Sequence, residues 1–230
     1  MRADYHVHTE FSDDSDYAME KVIQDSIAMG LDEMPLANVH YPSYYETFKE
    51  MWVLYHDKIE LKLGLEFGMQ AHTIEKYEKL FARFPFDFII LSVHEVEDKE
   101  FWTQDFQRGR TQKEYNERYY EELLYLVQNY HNYSVLGHMD LITRYDKAGT
   151  YPFEKLKPIF TEILKTVIAD GKGIEVNTSS HRYGLSDLTP SRYNFAYSSG
   201  LSIASAFNAQ SDPGVVFKFF SASQQSMRSI

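Results

Sequence analysis

Short apolar runs recur along this chain with stretches of helical period between them, and that rhythm narrows the fold more than any other feature. The runs cover residues 4–8, 33–37, 60–67, 87–94, 134–138 and 173–177. Each has the length of a buried strand. After the first run, Met19, Val22, Ile23, Ile27 and Met29 fall near a 3.6-residue period, and Gly30 offers a C-terminal cap. Across 153–170, Leu156, Ile159, Phe160, Ile163, Leu164 and Val167 share a face, with Pro158 expected in the first turn and Gly171 past the end. Alternation of this kind predicts a parallel α/β fold. At least six such units in 230 residues favour a (β/α) barrel over an open doubly wound sheet. No glycine-rich dinucleotide fingerprint follows the first run, which weakens the open sheet further.

Composition removes several kinds of chemistry. The chain has no cysteine, so disulfides, thiolate nucleophiles and cysteine-type zinc sites are excluded. A metal would have to be held by imidazole and carboxylate, a set suited to Zn, Mn or Fe. No apolar run reaches the ~18 residues that cross a membrane, and the opening MRADYHVHTEFSDD has no signal-peptide core. A cytoplasmic location without membrane association is expected. The net charge of −11 argues against nucleic acid as a partner, while a local metal cluster can still draw in a small phosphorylated substrate.

The polar residues closing the apolar runs carry the functional signal. His6 and His8 are two apart, a spacing that points both imidazoles the same way in a strand. Glu66 closes an apolar run, where a carboxylate is costly to bury unless a cation or donor meets it. His94 and His138 close two more, with Asp140 just beyond. Any one of them alone reads as a satisfied polar residue. Together they place four of nine histidines and one glutamate at C-terminal strand ends, the rim where barrel enzymes build their sites. This constellation predicts a metal site.

The same residues carry a resemblance. The segments DYHVHTEFSDDS, LGLEFG, FDFIILSVHEVE, VLGHMDLITRYD and IEVNTSSHRYG occur in order over roughly 3–190. They resemble the PHP (polymerase and histidinol phosphatase) family of metal-dependent phosphoesterases, and most nearly its histidinol-phosphate phosphatase branch. The resemblance implies a distorted (β/α)7 barrel holding two or three divalent metals. His6, His8 and Glu66 would bind the first, and Glu66 would bridge to a second completed by His94 and His138. Asp14 would reach a third and is a candidate proton donor to the leaving group. Arg144 and Arg182 would hold the substrate phosphate, Arg144 acting also in catalysis. The reaction implied is hydrolysis of L-histidinol phosphate to histidinol and phosphate in histidine biosynthesis.

The chain departs from that family twice. Asn38 and Val39 stand where a typical member has Asp-His, and His40 comes one residue late, facing away in a regular strand unless a loop returns it as a ligand. Near the C-terminus, Asp212 in Gln210-Ser211-Asp212 is the nearest match to the family's closing Asp-x-His, and no histidine follows His181. Residues 193–230 carry only three charged side chains, Asp212, Lys218 and Arg228. The expected organisation is therefore a barrel over 1–192 and a divergent segment over 193–230. That segment, from a reading-frame change or a replaced unit, would pack poorly and leave the last unit and the third site incomplete, although 201–207 alternates enough for a strand. Two rivals stay open: a PHP phosphoesterase of other specificity, and a metal-binding protein with weak or lost catalysis.

Overall fold

Parallel strands need a crossover between neighbours, and this chain uses helices for it. The computed structural model describes residues 2–37, 41–177 and 188–191, and the backbone of 204–208. Helix α1 (Met19–Ala28) precedes β1 (Glu33–Ala37), and α2 (Tyr41–Tyr55) leads into β2 (Glu60–Gly68). A 3-10 turn (Ala71–Thr73) and α3 (Ile74–Phe81) then lead to β3 (Phe88–Ser92). A small antiparallel ribbon, β4 (Glu95–Val96) with β5 (Lys99–Glu100), interrupts the rhythm. Helix α4 (Gln112–Asn129), β6 (Val135–Leu136), a second 3-10 turn (Leu141–Tyr145), α5 (Phe153–Ala169), β7 (Gly173–Asn177) and β8 (Ala204–Asn208) follow. The sheet order is β1-β2-β3-β6-β7-β8, with every pairing parallel.

Alternation along each strand sorts the side chains into two environments. From β2 and β3, Leu61, Leu63, Leu65, Phe67, Ile89 and Leu91 pack outward into the apolar layer that Val22, Ile23, Phe48, Leu126, Phe160 and Ile163 cover from the helices. Burying each such side chain is worth roughly 1.5–3 kcal/mol. The opposite face holds a small apolar floor of Ile90 and Val135 with Tyr5 and Phe88. That face turns inward. The segment carrying His6 lies beside β1, five strand positions from β7, and on a flat sheet that would be roughly 24 Å at ~4.8 Å per strand. His6 Nδ1 nevertheless lies 2.6 Å from Glu175 on β7. The parallel sheet is curled into a barrel wall, which is the architecture expected of a distorted barrel.

Three local expectations are corrected or refined. Residues 4–8 were expected as a strand, but this segment meets β1 only through isolated bridges, Ala3 with Glu33 and Val7 with Leu36. The bridges are spaced unequally on the two sides, and Asp4 Oδ1 takes the His6 N–H at 3.1 Å, displacing a ladder bond. The helix starts at Phe153 as expected, but Pro158 then falls beyond the first four residues, in the second turn of α5 and not its first. Its missing N–H removes the intrahelical bond to the Glu154 carbonyl. The alternation at 201–207 becomes β8, shifted to Ala204–Asn208 and paired to β7 over five residues. The rest of 193–230, including the expectation of poor packing there, lies outside the described residues. No described helix is long and apolar enough to cross a membrane.

Glycine supplies room inside the wall. A Cβ at Gly64 would stand 2.8 Å from the Leu36 carbonyl oxygen and 3.1 Å from Pro35 Cβ, a backbone atom and a proline ring that cannot swing away. We therefore expect Gly64→Ala to cost about 1–3 kcal/mol by forcing β1 and β2 apart. Its urea midpoint should fall below wild type; an unchanged midpoint would show that the wall gives freely at this point.

Candidate metal centre

Every residue of the cluster is placed by the C-terminal rim of the curled sheet. Glu66 is near the end of β2, His94 lies two residues past β3, and His138 two past β6. His6 and His8 come from the bridged segment beside β1. Glu66, His6 and His138 are buried, while His8 and His94 open toward solvent. The Glu66 carboxylate is divided between two pairs of rings. Its Oε2 lies 2.9 Å from His6 Nε2 and 3.3 Å from His8 Nε2. Its Oε1 lies 3.2 Å from His94 Nε2 and 2.8 Å from His138 Nε2, and also accepts from Ser92 Oγ at 2.8 Å.

The arrangement fits a pair of cations. His6 Nε2 and His8 Nε2 face each other at 2.8 Å, and His94 Nε2 and His138 Nε2 at 3.4 Å. The rear nitrogen of His6 donates to Glu175, and that of His8 lies 2.8 Å from Ser12 Oγ. With the rear nitrogens protonated, the front nitrogens are acceptors aimed at one another, which only a shared proton or cation relieves. Ligand atoms around an ion at ~2.0–2.2 Å lie roughly 3–3.5 Å apart, close to the spacing of both groups. His6, His8 and Glu66 form one group able to hold an ion, and Glu66, His94 and His138 the other.

Electrostatics follow the same division. Burial works against a charge on His6, yet Glu66 and Glu175 outweigh it and hold its pKa well above the ordinary imidazole range. Burial would raise Glu66, but His6 and His94 draw it well below the usual carboxylate range. Burial likewise opposes the charge on Glu175, and His6 brings its pKa down. For His138 burial prevails over Glu66, and its pKa is lowered.

The remaining residues singled out in the sequence fall in different places. Asp14 is exposed, with Oδ1 3.5 Å from His8 Nδ1, so it stands behind His8 and outside both groups. Arg144 is half-buried on the 3-10 turn that starts three residues after His138. His40, Arg182 and Asp212 lie outside the described residues. The segment containing Arg182 is bounded by Asn177 and Thr189, which exchange backbone hydrogen bonds of 2.7 and 3.0 Å; Ser191 N–H donates to Asp140 at 3.0 Å.

Sequence reasoning assigned no role to Glu175, Ser92 or Ser12. Glu175 is the most consequential of these: Oε1 takes the His6 Nδ1 proton and Oε2 accepts the His138 N–H at 2.8 Å. The signal was present, since a carboxylate inside the apolar run 173–177 is the same anomaly that marks Glu66. Ser92 and Ser12 gave no such signal, serine being ordinary at strand ends and in loops.

Comparison with known proteins gives a consistent result. The profile of the PHP domain matches residues 4–179. A histidinol-phosphatase of Lactococcus lactis is 31% identical over 194 residues, covering 77% of this chain and 71% of that protein. A solved structure of the Lactococcus lactis histidinol phosphate phosphatase, complexed with zinc, L-histidinol and phosphate, superposes with a TM-score of 0.77 at 27% identity. It covers 90% of this chain and 84% of that one. A solved structure from Listeria monocytogenes superposes with a TM-score of 0.75 over 90% of this chain and 94% of that one; at 15% identity it shows the fold alone.

Two expectations follow from the cluster. Glu66→Gln should lose both cations by elemental analysis, because the neutral amide offers one oxygen where two were shared, whereas exposed Glu10→Gln should keep them. Full metal occupancy in Glu66→Gln would remove Glu66 from the cluster. The second concerns pH. In the cation-free protein the raised pKa of His6 gives stability that is full below about 6.5 and lost as pH rises through its folded value. The lowered pKa values of Glu66 and Glu175 give stability that is full above about 4.5 and lost as pH falls through theirs. Cation binding displaces the His6 proton, so its affinity runs the other way, rising with pH. Urea midpoints of chelated and zinc-loaded protein should diverge as pH rises, and a gap independent of pH would contradict this.

Proposed function

The chain belongs to the PHP family, and on that premise we propose that it is a phosphomonoesterase that uses divalent cations to hydrolyse L-histidinol phosphate to L-histidinol and phosphate. The observation that carries the reading is the division of one buried carboxylate between two imidazole pairs, a donor set built for two ions. His6, His8 and Glu66 would hold one ion, and Glu66, His94 and His138 the other. Zinc is the first candidate, since the Lactococcus lactis relative was solved with it. A cation pair supplies acidity to water and draws charge from phosphoryl oxygens.

The chain's own residues would do the rest. Glu175, an acceptor, holds His6 in the tautomer that leaves Nε2 free for a cation, and Ser12 orients the His8 ring from behind. Arg144, on the turn that follows His138, would take the phosphate through its planar fork, with Arg182 as a second cation. The turn carrying Arg144 is pinned on its far side, where Asp146 accepts from Tyr115 Oη at 2.5 Å and Asn116 Nδ2 at 3.0 Å. Asp14, on the exposed side of His8, is the candidate for returning a proton to the leaving alcohol. A third ion would draw on Asp14 with His40 and Asp212, and the departures around His40 and Asp212 make that position the weakest of the three.

The test is phosphate release by zinc-loaded protein from L-histidinol phosphate, beside a panel of nucleotides and sugar phosphates. Turnover of L-histidinol phosphate well above the panel is expected; preference for another phosphomonoester would replace the substrate, and zero turnover with full metal content would remove catalysis. Arg144→Ala should lower kcat/KM roughly 10–100-fold through both KM and kcat, as loss of a charged hydrogen bond worth ~1.5–3 kcal/mol requires. Its metal content should be unchanged. Wild-type kinetics would return Arg144 to a structural role.

A further inference from the structure

The two halves of the cluster are backed differently. On the side of His6 and His8, both rear nitrogens are engaged, by Glu175 at 2.6 Å and by Ser12 Oγ at 2.8 Å. Glu175 is in turn fixed by the His138 N–H at 2.8 Å and by Asn177 Nδ2 at 3.2 Å. On the other side, His138 Nδ1 is buried with no hydrogen-bond partner among the described residues. The hydrogen bonds of the His94 ring both run through Nε2, and this side chain is the more exposed of the pair. Behind it stands Gly68, where a Cβ would lie 3.0 Å from Nδ1, so His94 is located by packing.

A rear hydrogen bond to a carboxylate orients an imidazole, fixes its tautomer and raises its basicity, and losing one typically costs 10–100-fold in metal affinity. Among the described residues, Glu175 and Asp14 join Glu66 in pairing with the rings of His6 and His8, while Glu66 alone pairs with those of His94 and His138, Glu175 reaching His138 through its backbone N–H.

We propose that the two cation positions are unequal: the position of His6, His8 and Glu66 fills first and retains its ion, whereas that of Glu66, His94 and His138 exchanges readily, so that the second ion sets the active fraction. This rests on the two-cation reading above and adds to it a dependence of activity on free metal. The physical basis is preorganisation. Two rings hydrogen-bonded from behind converge with little further ordering, whereas two located by packing, with no rear hydrogen bond among the described residues, gain their fixed orientation and tautomer from the ion.

Metal-free protein titrated with zinc against a chromophoric chelator at mildly alkaline pH, where protons compete least, tests this. Two binding classes are expected, with dissociation constants differing at least about ten-fold. Turnover should appear only with the second equivalent. His94→Ala should lose the weak class and keep the tight one, His8→Ala should lose the tight class, and Glu175→Gln should narrow the gap. Urea midpoints of the chelated variants check that each is folded, and the wild-type titration needs no variant at all. Two equal sites, or a tight class that survives His8→Ala and vanishes in His94→Ala, would overturn the inequality. Failure to bind any zinc would instead overturn the two-cation reading on which it rests.

Discussion

A single buried carboxylate, Glu66, organises the inside of this barrel. Taking such a charge out of water costs several kcal/mol unless partners meet it. Here four imidazoles and a serine hydroxyl do so, two rings on one oxygen and two rings with the hydroxyl on the other. Those partners come from the segment beside β1 and from the ends of β3 and β6, so they can meet only if the sheet curls. Glu175 closes the circuit from β7, reaching both the His6 ring and the His138 backbone. The polar centre and the curvature of the wall therefore imply each other.

The apolar free energy sits elsewhere. Leucine, isoleucine and aromatic side chains fill the layer between sheet and helices, which stabilises the wall from outside, while the inward face sets its polar residues above the small apolar floor of Ile90 and Val135. Glycine is part of that design. A Cβ at Gly137 would stand 2.6 Å from Ser92 Oγ, in the space that lets Ser92 reach Glu66. The segment before His138 thus needs a residue without a side chain for a reason of packing, not of backbone conformation.

Much of this was legible in the sequence because strand periodicity and strand ends are local signals. The runs at 33–37 and 173–177 become strands with the same bounds, and Gly30 and Gly171 end their helices with φ of 75° and 67°. His6, His8, Glu66, His94 and His138 converge as the shared rim position implies. What escaped was set by competition or by contacts distant in sequence. Asp4 captures the His6 N–H and breaks the first strand. Glu175 acquires its role from a histidine 169 residues away. Arg144 is readable as a cation after a strand, but which anion it meets depends on a turn pinned by α4 through Asp146.

The central claim is that one carboxylate is shared by two cations, and it is tested most directly by anomalous diffraction from zinc-loaded crystals at the zinc edge. The account predicts two peaks, one within ~2.0–2.2 Å of each Glu66 oxygen, the first flanked by His6 and His8 and the second by His94 and His138. A single peak at full zinc saturation, or two peaks neither of which touches Glu66, would contradict it.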